Sequence, residues 1–320
     1  MGRRWRQATA IMSSALGIAV GMLLPALSYA AGPSPAAGVG STDLCNQLAA
    51  RLPRVSVGSC EQMALMPSGG VSSQGRPLLV RRFSPAKGVK SSVPPLRILL
   101  LGGIHGDEMT ASSIVFQWMR WMQTPPAQNF YWSVVPVVNP DGMLAPTPKR
   151  VNAHGVDLNR NFPTPGWQQD APRYWTKATG RDPRRFPGAA PLSEPETRWV
   201  NEEMERFRPQ VIISVHAPYG VLDFDGPAPT PHNFGRLIFN RVGVFPGSLG
   251  NYSGVHKNVP VITIELPNAS TMPSEVEVKR IWVDMLKWIQ HNVPQEVAMG
   301  SPVSNAATSS AAAKVAPVLR

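Results

Sequence analysis

The stretch Arg97-Ile-Leu-Leu-Leu-Gly-Gly-Ile-His105-Gly-Asp-Glu108 decides the fold of this chain. Arg97 to Gly102 is an apolar run of strand length, stopped by the Gly102-Gly103 pair. No polar residue alternates within the run, so both faces of such a strand must be covered. Asp107 to Gln123 follows with helical spacing, and Ile114, Val115, Met119 and Met122 share one side. The alternation continues outward. Tyr131 to Val138 reads as a strand, and Glu194 to Phe207 as a helix opened by acids, as the helix dipole favours. Val211 to Val215 and Val259 to Ile264 are short buried strands, and Ser274 to Ile289 is a closing helix. The fold class is α/β, a largely buried sheet flanked by helices, whose sites collect at the carboxyl ends of the strands.

Composition sets the outer bounds. With 320 residues, 43% hydrophobic and 16% charged, the chain can bury a large core, which excludes wholesale disorder. Its 34 prolines argue against a helical bundle or coiled coil. The formal net charge is +11, yet no Lys/Arg run is interleaved with aromatics, so nucleic acid is not an expected partner. The charge reads as a solvated surface, suited at most to an anionic envelope polymer.

The first thirty residues read as an address. Arg3, Arg4 and Arg6 precede an apolar stretch from about Ala8 to Leu27, which ends in the small residues Ser28-Tyr29-Ala30-Ala31. That order predicts a secretory signal over 1–30, and hence a periplasmic or secreted protein with no stable membrane insertion after cleavage. The alternative is an uncleaved anchor, since ~20 apolar residues can span a bilayer. Cleavage lowers the charge from +11 to +8. Export also gives meaning to the two cysteines, because an isolated pair in an oxidising compartment tends to bridge. Cys45 and Cys60 are therefore expected to form a disulfide. Residues 31–41 form a Gly/Pro/Ala/Ser linker, 42–293 one catalytic-sized domain, and 294–320 a low-complexity tail.

The chemistry starts at His105 and Glu108, three apart at a strand-to-helix turn. Catalytic zinc takes three protein ligands and keeps a fourth position for water, and His₂Glu is a common set. His216, ending the strand Val211-Ile-Ile-Ser-Val, supplies the second imidazole. Together these residues are expected to hold one zinc ion. A carboxylate must take the water's proton and pass it to the leaving amine. Glu265, at the end of Pro260-Val-Ile-Thr-Ile, is the candidate. Arg150, Asn159 and Arg160 share one turn-rich segment, and arginine suits both a bidentate carboxylate grip and an oxyanion.

These motifs resemble the zinc carboxypeptidase family: His105-Gly-Asp-Glu108, Asn139-Pro-Asp-Gly142, Gly155-Val-Asp-Leu-Asn-Arg-Asn-Phe162, His216 and Thr263-Ile-Glu-Leu266 stand in the family's order. Ser214 to Gly226 and Pro246 to Gly250 are similar, within it, to the bacterial murein peptide amidases. The resemblance implies a mixed sheet of about eight strands, zinc on His105, Glu108 and His216, and Glu265 as general acid/base. It implies that Arg150 polarises the scissile carbonyl and that Asn159 and Arg160 dock the free carboxylate. The family's capping tyrosine is left open between Tyr252 and Tyr219.

The subfamily resemblance implies a peptide or muropeptide substrate, cleaved between γ-D-glutamate and diaminopimelate. Asp223 or Asp225 could pair with the second amino group of diaminopimelate, or the two could simply cap the turn in Leu222-Asp-Phe-Asp-Gly. A general C-terminal carboxypeptidase and an N-acyl amino-acid deacylase are alternatives within enzymes. A non-catalytic wall-binding protein is the alternative of another class, and the intact His105, Glu108, His216 and Glu265 argue against it.

Overall fold

The computed structural model describes residues 41–86 and 94–293. The leader expected over 1–30, the linker up to residue 40 and the tail 294–320 lie outside the described residues. In chain order the elements are α1 (Ser41–Arg51), α2 (Val57–Gln62), β1 (Met66–Val71), β2 (Pro77–Phe83), β3 (Arg97–Leu101), α3 (Met109–Met119) and β4 (Tyr131–Val135). Next come α4 (Pro140–Met143), α5 (Trp167–Lys177), α6 (Pro195–Phe207), β5 (Val211–His216), β6 (Val221–Asp225), β7 (Asn233–Phe234), β8 (Leu237–Phe239), β9 (Val261–Glu265) and α7 (Glu275–Asn292).

The strands form one mixed sheet in the order β1-β2-β4-β3-β5-β9-β6-β8-β7. It has nine strands where the sequence implied about eight, the difference lying in the short β7 and β8 at one edge. Strands β4, β3, β5 and β9 run parallel at the centre, while β2 and β6 flank them antiparallel. The chain steps from β3 to β4 on one side and returns on the other with β5, so the order reverses between β3 and β5. A crevice opens at the carboxyl ends of strands where the order reverses in this way.

Period-two alternation on β3 explains the two layers. Ile98 and Leu100 face Ile114 and Trp118 of α3 with Trp282 and Met285 of α7, whereas Leu99 and Leu101 join Trp199, Val200 and Met204 of α6. All four β3 residues are fully buried, which is worth roughly 2 kcal/mol each in hydrophobic transfer. Trp282 stacks on Trp132 at 5.6 Å and lies 5.5 Å from Trp118, locking α7 to the sheet.

Element ends differ from the sequence reading for local reasons. The strand from Tyr131 stops at Val135 because Pro136 has no N–H for the ladder. Helix α3 begins at Met109, since Asp107 and Glu108 belong to the turn that leaves β3. Helices α1 and α2 are joined by the Cys45–Cys60 disulfide, with Cα atoms 5.6 Å apart, and Leu44, Leu48 and Leu52 extend the α3/α7 core.

Candidate active site

Two glycine contacts bring the motifs together. A Cβ on Gly106 would stand 2.3 Å from the backbone of Gly142 and Met143, so the turn after β3 packs directly on the Asn139–Gly142 turn. The same Asn139 donates its Nδ2 to the Arg150 carbonyl at 3.1 Å, fastening the following segment to the site.

The sheet register does the rest. His216 pairs with Glu265 across β5 and β9, so their side chains emerge on the same face at the strand ends. His105 arrives from β3 next door. His105 Nδ1 lies 2.7 Å from Glu108 Oε1, His216 Nδ1 lies 2.9 Å from Glu108 Oε2, and the two Nδ1 atoms are 3.1 Å apart. Each ring has its other nitrogen engaged: His105 Nε2 with Asp157 Oδ1 at 3.1 Å and His216 Nε2 with Ser214 Oγ at 3.0 Å. With the Nε2 protons given to those oxygens, both Nδ1 lone pairs converge on the carboxylate. Three buried, proton-free donors crowded together fit a cation, and the His₂Glu set fits zinc.

Burial and Arg150 oppose a proton on His105, but Glu108 and Asp157 outweigh them and raise its pKa, whereas burial lowers that of His216. Burial opposes ionisation of Glu108, but the two imidazoles outweigh it and hold the carboxyl well below the usual range. Asp157 is also held low: burial raises it, and Arg150 and His105 more than compensate. Arg150 reaches both acids, with Nε and Nη2 at 3.0 Å from Asp157 and Nη1 at 3.4 Å from Glu108.

Glu265 behaves differently. Its Oε2 is buried and meets no hydrogen-bond partner among the described residues. Burial, then the charge of Glu108, pushes its carboxyl up to about 8, so it can carry a proton near neutral pH.

A cavity of about 270 Å³ opens over these groups, lined also by Asn159, Arg160, Asp223, Asp225, Tyr219 and Phe245. Asn159 is held by Leu249, whose N–H donates to its Oδ1 at 2.8 Å. Arg160 is 5% exposed, its guanidinium sits 4.4 Å from the Phe245 ring centre, and its Nε has no partner among the described residues. It retains free donors for an anion. On β6, Asp223 accepts backbone amides from Phe224, Val242 and Gly243, which is the turn-cap reading, yet it also lines the cavity. Burial, then the Asp223 charge, raises Asp225 to about 6. Gly250 and Gly254 give Asp225 its room, since a Cβ on either would come within 2.5 Å of it.

Tyr252 is a correction. It is buried, stacked on Phe162 at 5.9 Å, with its hydroxyl donating to Asn201 Oδ1 at 2.5 Å, and it does not line the cavity. Residues 250–256 wind into a wide-turned helix that carries the ring into the α6 side of the core. Tyr219 lines the cavity mouth and is exposed. Asp157 and Ser214 were missed in the sequence, although both were legible. Asp157 lies inside the Gly155–Phe162 motif, and Ser214 precedes His216 by two, the spacing that puts both on one strand face.

A mixed sheet with a His–Glu–His donor set at its reversal point, beside a buried acid and two arginines, defines a hydrolase. The zinc carboxypeptidase family profile matches residues 56–224, just over half of the chain, and the chain belongs to that family. It is 32% identical over 201 residues to murein peptide amidase A of Escherichia coli (strain K12), covering 59% of this chain and 79% of that one. It is 33% identical over 211 residues to murein peptide amidase A of Vibrio campbellii, covering 63% and 79%. The crystal structure of carboxypeptidase A from Helicoverpa armigera superposes with a TM-score of 0.53 at 18% identity, over 71% of this chain and 69% of that one, a likeness of fold.

Proposed function

We propose that this chain is an exported zinc-dependent amidase that hydrolyses the γ-D-glutamyl–diaminopimelate bond of peptidoglycan stem peptides. The observation that carries the reading is the charge layout of the cavity: Arg160 and the acidic pair Asp223/Asp225 line it together with the His–Glu–His donors. A leaving residue that bears a carboxylate and a side-chain ammonium, as diaminopimelate does, matches both. The names of the Escherichia coli and Vibrio relatives support the same substrate class. The leader over 1–30, preceding one catalytic domain over 42–293, fits an enzyme sent to the wall.

In this reading His105, Glu108 and His216 hold one zinc ion. When bound, zinc supplies a Lewis acid for the carbonyl and makes a water acidic enough to attack. Glu265 takes the proton of the attacking water on its carboxylate and delivers it to the leaving nitrogen. A carboxyl raised by burial is suited to that exchange near neutral pH. Arg150, held by Asp157, faces the carbonyl oxygen as negative charge develops. Asn159 and Arg160 grip the free carboxylate of the leaving residue, and Asp225 its ammonium.

The test is incubation of the zinc-loaded protein and its Glu265→Gln variant with L-Ala-γ-D-Glu-diaminopimelate and with a plain L-peptide, followed by mass spectrometry. Release of diaminopimelate by the unmodified protein alone is the expected result. Cleavage of only the plain peptide would move the protein to the general carboxypeptidases. Inertness toward both would turn attention to N-acyl amino acids.

A further inference from the structure

The cavity lining carries two arginines that the proposed reaction has not used. Beyond Arg150 and Arg160, its lining includes Arg184 and Arg185, from the single turn Pro183–Arg185 that follows α5. Arg184 Nη2 lies 2.7 Å from Asp107 Oδ2, and Asp107 stands between His105 and Glu108 in the chain. Arg184 is therefore tied to the edge of the donor set. Its side chain is 58% exposed, with guanidinium donors to spare beyond the one given to Asp107.

This turn is a fixed part of the site. Asp182 Oδ1 accepts the Arg184 N–H at 2.9 Å, and Trp175 Nε1 donates to the Asp182 carbonyl at 2.8 Å. Trp175 packs on Phe186 with ring centres 4.9 Å apart. The Phe186 carbonyl then accepts the N–H of Asp157 at 2.8 Å, and Asp157 is the residue holding both His105 and Arg150. The backbone carrying Arg184 is thus bonded to the residue that orients the donors.

In the amidase reading Asn159, Arg160 and Asp225 hold the leaving half of the substrate, which leaves the half that carries the scissile carbonyl to the remaining lining residues, Arg184 among them. A main-chain peptide offers no anion there. A γ-linked glutamyl residue does: its side-chain carboxyl forms the scissile amide, and its own α-carboxylate stays free a few bonds away. We propose that Arg184 forms a second carboxylate subsite that receives this α-carboxylate, while Arg185 stays paired with Asp182 at 3.6 Å. The subsite rests on the amidase reading above and gives it a reason to prefer γ-linked over ordinary peptide bonds.

The test compares two substrates that differ at one group, L-Ala-γ-D-Glu-diaminopimelate and its analogue with the glutamyl α-carboxylate converted to a carboxamide. The full chain and its Arg184→Gln and Arg184→Lys variants are assayed on both. The unmodified protein is expected to favour the carboxylate by about tenfold in kcat/KM, the scale of one charge-assisted contact. Arg184→Gln is expected to abolish that preference by losing rate on the carboxylate substrate while staying within about twofold on the carboxamide; Arg184→Lys should retain part of it. Equal loss on both substrates, or no preference in the unmodified protein, overturns the subsite and leaves the amidase reading standing. Failure of the unmodified protein to cleave either substrate overturns the amidase reading and the subsite with it.

Discussion

His216 and Glu265 stand side by side in the register of β5 and β9, one contributing to a donor set and the other ending in a buried oxygen with no partner among the described residues. Neighbouring parallel strands that stop at the same level put two chemically different groups on one face without any loop to position them. Replacing Glu265 by Gln keeps the shape and removes the proton acceptor. Turnover should fall by about 10²–10⁴-fold while bound zinc, read by metal analysis, is unchanged. Retained turnover would take Glu265 out of the chemistry.

The contact between His105 Nε2 and Asp157 sets which nitrogen of that ring is free of a proton. In Asp157→Asn the amide can present a donor where the ring must also donate, and the grip on Arg150 loses its charge. Zinc affinity, measured by competition with a chelator, should drop about 10–100-fold, with a larger loss for His216→Ala. Unchanged affinity in both variants would mean the ion sits elsewhere.

Asp225 gives a pH signature away from the donor set. Below about pH 3 its carboxyl is neutral in the folded and the unfolded chain alike, and it costs nothing. As pH rises toward about 6 the unfolded chain ionises first, so this group withdraws stability, about 3 kcal/mol once both forms are charged. Asp225→Asn should therefore raise Tm at pH 7.5 and leave it nearly unchanged at about pH 3. The same variant should lose discrimination for a leaving residue with a side-chain ammonium. The same change in Tm on substitution at both pH values would show that the carboxyl is not raised.

Cys45 and Cys60 are 15 residues apart, and closing such a loop restricts the unfolded chain by about 3 kcal/mol in the chain-entropy view. The Cys45→Ser/Cys60→Ser protein should show a correspondingly lower denaturation midpoint with kcat unaltered, since α1 and α2 contribute nothing to the lining of the site. Loss of activity in the still-folded protein would contradict that separation.

The alternation of strands and helices, the donors His105, Glu108 and His216, and the acid Glu265 were all legible in the sequence, because each depends on local pattern. Apolar runs announce buried strands, and a polar residue where such a run ends announces a site. Tyr252 shows where that reasoning stops: it was one of two candidates for the capping tyrosine, but the wide-turned helix over Gly250–His256 rotates its ring into the core. The anchoring of Asp157 to Phe186, the approach of Arg184 to Asp107 and the packing of Gly254 on Asp225 were invisible for the same reason. Each joins segments some 30 to 80 residues apart, and which atoms meet over such a span is set by sheet register and helix packing. The chain's own pattern determined the fold class and the reactive groups. Only the tertiary structure decided how those groups are oriented, because orientation comes from partners that local sequence does not contain.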